Sequence, residues 1–162
     1  MVYVYPMYGL GGRIWSWSIE DYVAQHLRNI AGVKVYKTRS YGQWRDIAAE
    51  INKLPKGSKT VVIGHSMGAG AATAVTDLAY VDLVVCYDCA GWHPSGIAQN
   101  CGKLIDFWDR AFALVPKYRP WAYPGHSQKI ERIETRFGHT SQPTAPNLLH
   151  KVANEVKALK GQ

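Results

Sequence analysis

The stretch Thr60-Val61-Val62-Ile63-Gly64-His65-Ser66-Met67-Gly68-Ala69-Gly70-Ala71-Ala72 decides the fold. A β-branched run long enough for a buried strand ends at Gly-x-Ser-x-Gly, and a small-residue segment of helical character follows. A serine at such a strand-to-helix turn has to adopt backbone angles that leave no room for bulk nearby. Glycine two residues before it and two after it, Gly64 and Gly68, meets that requirement. The hydroxyl of Ser66 is then held above the edge of a sheet, as in a nucleophile elbow.

Outward from this stretch, apolar periodicity predicts strands over 2–7, 33–37, 59–64, 81–87, 103–108 and 130–137. It predicts helices over 18–30, 42–53, 66–79 and 144–160. Strand and helix alternate, so the expected architecture is an α/β three-layer sandwich with a mostly parallel six-stranded sheet flanked by helices. In such a sheet, ligand chemistry gathers outside the carboxyl ends of the strands. The segment 115–126, rich in Pro and aromatic residues, is too long for a simple turn. It reads either as a flap over the sheet or as a substrate-facing loop.

The chain has 162 residues, of which 47% are hydrophobic and 19% charged, a composition that excludes disorder and membrane insertion as starting points. One domain spanning 1–162 is expected, with no room for a large lid. No segment has the pattern of a secretory leader, so a cytoplasmic location is the expectation. The net charge of +7 biases the protein toward anionic surfaces without marking a nucleic-acid binder. Lys151, Lys157 and Lys160 read as a solvated helix face, whereas Lys117, Arg119, Lys129, Arg132 and Arg136 could border a site. Three cysteines, Cys86, Cys89 and Cys101, do not form a disulfide framework, although Cys89 and Cys101 could pair under oxidising conditions. Cys89 with His93 lacks the remaining ligands of a metal site, and neither metal nor organic cofactor is expected.

The strand, the elbow, its helix and a downstream histidine resemble the α/β-hydrolase superfamily, in particular its small, lidless lipase- and esterase-like members. The resemblance covers nearly the whole chain, with the family's first two strands missing. A serine hydroxyl needs a base to take its proton and a carboxylate to orient that base. The resemblance implies the chain order Ser, then Asp or Glu, then His, which sets aside His26 and His65. His139, in Phe137-Gly138-His139 between the last strand and the last helix, stands where the family puts its base. His150 falls inside that helix, and His93 and His126 remain as substrate contacts.

Two aspartates compete for the acid. Asp88 ends the strand after the elbow helix, and Asp109 lies one strand later but two residues before the family's usual acid position, which falls on Ala111. Asp88 is preferred, with Asp82 read as a solvated strand-start residue and Asp106 as the less favoured inward carboxylate. The turn Pro6-Met7-Tyr8-Gly9-Leu10-Gly11-Gly12 resembles the family's His-Gly-x-Gly-Gly with Tyr8 replacing His, and maps the oxyanion-hole N–H donors to Leu10 and Met67. That turn lacks both the P-loop ending and the dinucleotide spacing.

These residues predict a serine hydrolase of carboxylic esters or thioesters acting through Ser66, His139 and Asp88. The expected partner is a small ester or acylated substrate, without nucleic acid or integral membrane association. Two other readings stay open. One is a non-catalytic binding protein on the same fold. The other is an esterase of an acylated cell-wall or carbohydrate polymer, suggested by the charge and by Trp15, Trp17, Trp92, Trp108, Trp121 and Tyr123. Loops 13–18, 89–101 and 110–129 are the expected pocket walls.

Overall fold

Val, Ile and Tyr dominate the strand segments, and side chains on both faces of the central strands are buried. Those strands therefore need helices on both sides. The computed structural model describes residues 1–90, 100–109, 120 and 129–161. In chain order it runs β1 (Val2–Tyr8), α1 (Arg13–Ser18), a π-helical segment (Ile19–Ala24), α2 (Gln25–Arg28), β2 (Val33–Val35) and β3 (Arg39–Ser40). A 3-10 turn (Tyr41–Gln43), α3 (Trp44–Ile51), β4 (Lys59–His65), α4 (Met67–Val75) and β5 (Val81–Tyr87) follow. The chain closes with β6 (Cys101–Asp109), β7 (Ile130–Thr135), a second 3-10 turn (Gln142–Thr144) and α5 (Pro146–Leu159).

The sheet order is β2-β1-β4-β5-β6-β7, with β3 also pairing with β1, and every one of these pairings is parallel. This confirms the three-layer α/β architecture and adds a seventh, two-residue strand that periodicity cannot register. The predicted helix over 18–30 is instead α1, a π turn and α2 in succession. Residues 13–18, expected as a loop, are the helix α1. Asp82 is not solvated: it accepts hydrogen bonds from the Thr60 N–H at 2.8 Å and the Thr60 hydroxyl at 3.1 Å, and pairs with Lys59.

One core cluster joins Trp44, Ile47 and Ile51 of α3 and Ala71, Ala72 and Val75 of α4 to one sheet face. The other joins Ile19, Val23 and Leu27 with Leu148, Leu149, Val152 and Val156 of α5 to the opposite face. Cys86, Cys89 and Cys101 are buried free thiols. Among the described residues, no helix is long and apolar enough to cross a membrane.

From β1 the chain goes to β2 and β3 on one side and then returns to β4 on the other. The crevice of this sheet therefore lies at the carboxyl ends of β1 and β4. Two glycines let the elements close there. A Cβ on Gly64 would lie 2.1 Å from the Gly68 carbonyl oxygen, and one on Gly68 would lie 2.6 Å from that of Met7. Gly64→Ala is expected to lower stability by at least about 3 kcal/mol, the upper end for overpacking. Gly42→Ala, where a Cβ meets nothing within 4 Å, should be near neutral; urea unfolding of both variants checks the pair.

Candidate active site

Ser66 has φ 57° and ψ −124°, a left-handed backbone conformation that follows directly from the last residue of β4 and opens α4. Such a conformation costs about 1–3 kcal/mol and persists when its surroundings hold it. Here the Ser66 N–H donates to the Tyr87 carbonyl at 2.9 Å, and the Ser66 carbonyl accepts from the Ala90 N–H at 3.1 Å. The elbow is thereby stapled to the turn that carries Asp88. Asp88 is itself left-handed, with φ 48°, and its N–H donates to the Phe107 carbonyl at 2.8 Å. Aspartate is among the few residues that tolerate this region.

The two aspartates at the strand ends have different partners. Asp88, fully buried, accepts a hydrogen bond from His139 Nδ1 at 2.5 Å on Oδ2 and one from the Asp109 N–H at 3.3 Å on Oδ1. Asp109 instead holds backbone: its Oδ2 accepts from the Gly138 N–H at 2.9 Å and from the Thr135 hydroxyl at 3.4 Å. Gly138 has φ 76°, so the chain turns sharply into His139 at the point Asp109 grips. With Nδ1–H committed to a carboxylate that can only accept, neutral His139 leaves Nε2 as the proton-accepting nitrogen.

His65 is buried beside these groups. Its ring centroid lies 4.7 Å from that of His139, and its Nε2 donates to the His139 carbonyl at 2.6 Å. Burial, and then the neighbouring His139, push its pKa down from 6.5 to about 4. A depressed histidine pKa means that the unfolded chain binds the proton first as pH falls. Stability attributable to neutral His65 is therefore full above about pH 6.5 and is lost progressively toward pH 4. At pH 5 this costs about 2 kcal/mol relative to pH 7.5. His65→Gln should flatten the fall in stability between those two pH values by about that amount, measured by urea unfolding.

The Gly-rich turn after β1 closes against the elbow: a Cβ on Gly9 would lie 2.9 Å from Ser66 Cβ and 3.2 Å from the Met67 nitrogen. Met67 is the first residue of α4, so its N–H is one of the helix's orphan donors. Leu10 is partly exposed in the same turn, next to Gly11 and Gly12, both at positive φ. Tyr8 is part-buried, and its phenol pKa is raised by burial and then by Glu20.

The structure thus brings Ser66, Asp88, His139, Leu10 and Met67 to one end of the sheet. Among the described residues no hydrogen bond joins the Ser66 hydroxyl to His139, a contact that tightens in many such sites only when substrate binds. Asp106 is buried within β6, with Arg132 Nε 3.8 Å from its Oδ2. His150 lies exposed on α5 beside His26, and Lys151 of the same helix pairs with Glu131 at 2.7 Å. His93, His126, Trp92, Trp121, Tyr123, Lys117 and Arg119 lie outside the described residues. No group of three or more candidate metal ligands occurs among the described residues. The sequence reading missed the backbone role of Asp109 and the bonds of His65, because both depend on contacts between elements far apart in the chain.

No family model matches the chain, and no curated protein matches its sequence. Among solved structures, it is similar to a protein of Pectobacterium atrosepticum provisionally assigned as a YdeN-like hydrolase. The TM-score is 0.61 at 14% identity, over 98% of this chain and 92% of that one. At that identity the likeness establishes the fold, and residue roles have to be argued from the site itself.

Proposed function

We propose that the protein is a serine hydrolase of carboxylic esters or thioesters, a small α/β-hydrolase-like enzyme. The observation that carries this reading is the conjunction of Ser66 on its left-handed elbow with His139 held by the buried Asp88 at 2.5 Å. A positively strained serine beside an oriented imidazole has little use in a protein that only binds.

In the proposed reaction the Ser66 hydroxyl attacks the substrate carbonyl as His139 Nε2 takes its proton. Asp88 holds Nδ1–H and stabilises the resulting imidazolium. The N–H groups of Leu10 and Met67 receive the oxyanion, with the charge developing at the N-terminus of α4. Collapse of the tetrahedral intermediate expels the alcohol or thiol, which leaves with the proton from His139. Water, deprotonated by the same nitrogen, then attacks the acyl-enzyme, releasing the acid and restoring Ser66.

Hydrolysis of a p-nitrophenyl ester series from acetate to long-chain acyl groups tests the reading. The expected result is turnover that is lost in Ser66→Ala, with a preference for short, soluble esters. Absence of hydrolysis across the series, together with absence of fluorophosphonate labelling, would instead favour a binding protein on this fold.

A further inference from the structure

Beyond the residues of the proposed reaction, one buried group of the site has all its polar atoms accounted for. His65 Nε2 faces a carbonyl, that of His139, which only accepts; the ring therefore carries its proton on Nε2. Its Nδ1 is then an acceptor, and the atom 3.0 Å away is Ser16 Oγ, whose hydroxyl must donate to it. The lone pairs of Ser16 Oγ remain free, and one of them accepts the Gly9 N–H at 3.2 Å. Every donor in the series Gly9 N–H, Ser16 O–H, His65 Nε2–H points the same way, and the series ends at the backbone of His139.

Local structure is bent to make these contacts. Ser16 departs from helical geometry inside α1, with φ −119° and ψ 26°, and is buried, as is His65. The series links two parts of the site that follow strands not paired with each other: the Gly-rich turn after β1 and the loop after β7.

We propose that Ser16 and His65 form a hydrogen-bond relay that sets the position of the His139 backbone against the Gly-rich turn, making both of them positioning residues for the site; this rests on the hydrolase reading above. Asp109 grips the N-terminal side of His139 through Gly138, and His65 grips its carbonyl. The imidazole is thus anchored at the backbone on both sides and at Nδ1 by Asp88. Displacing such a group by about 1 Å can cost about 100-fold in rate.

The test uses the full chain with 15N-labelled histidine. In the native protein near neutral pH, His65 should appear as the Nε2–H tautomer. Ser16→Ala should shift the His139 Nδ1–H resonance and lower kcat for a p-nitrophenyl ester about 10- to 100-fold with KM little changed. Ser18→Ala removes a hydroxyl that is also buried in this segment and has no hydrogen-bond partner among the described residues; it should alter neither. An Nδ1–H tautomer of His65 in the native protein overturns the relay, as does a Ser16→Ala protein indistinguishable from Ser18→Ala in both readouts. If the native protein shows no Ser66-dependent turnover, the hydrolase reading falls separately, and the two imidazole signals still decide whether the relay exists.

Discussion

Ser66→Ala is expected to lower kcat on an activated ester by about 10⁶-fold, with KM nearly unchanged, and to abolish labelling by a fluorophosphonate. The magnitude follows from what the residue supplies. In the proposed reaction the hydroxyl is the attacking atom, and without it the remaining groups would only orient water, which leaves roughly 10³–10⁴-fold catalysis from binding and the oxyanion donors. The fold should tolerate the change. Ser66 donates and accepts through its backbone, from the Ala90 N–H and to the Tyr87 carbonyl, and these bonds survive truncation at Cβ. Alanine at φ 57° is no worse placed than serine, so the urea midpoint should move little. Full activity in Ser66→Ala would mean that hydrolysis arises elsewhere, and full labelling would mean that the probe reacts with another residue.

The alternation of β-branched runs with amphipathic segments made the sheet legible, because each central strand is buried on both faces and its composition says so. The places where the reading slipped share one cause. The π segment 19–24, the two-residue β3 and the partners of Asp82 are all set by tertiary contacts. Asp82 reads as a solvated strand-start residue, yet it accepts the N–H and hydroxyl of Thr60 on the neighbouring strand.

At the site, residues with fixed positions relative to strand ends were legible: the elbow, the Gly-rich turn and His139 all follow a strand directly. What Ser16 and His65 do was not. They are 49 residues apart, and a serine inside a six-residue helix carries no pattern that a period can detect. The choice between Asp88 and Asp109 lay between these cases, since both end strands and only their bonding partners separate them.

That separation makes the second large effect sharp. Asp88→Asn is expected to lower kcat about 10⁴-fold, the scale seen when the acid of such a trio loses its charge. Two consequences of the amide combine. It no longer stabilises the imidazolium that the proposed reaction forms on His139. Its NH₂ can also donate to His139 Nδ1, which moves the ring proton to Nε2 and removes the accepting nitrogen that the proposed reaction uses. Asp109→Asn keeps an oxygen that can still accept the Gly138 N–H and the Thr135 hydroxyl, so the turn into His139 is retained and its rate should stay within about tenfold of native. Both carboxylates are buried and both sit at a strand end, so a general destabilisation would affect the two variants alike. A kinetic gap of about three orders of magnitude between them, at matched urea midpoints, would assign the acid to Asp88. A dead Asp109→Asn beside an active Asp88→Asn would assign it to the later strand, and would require the loop that carries His139 to swing from one carboxylate to the other during turnover.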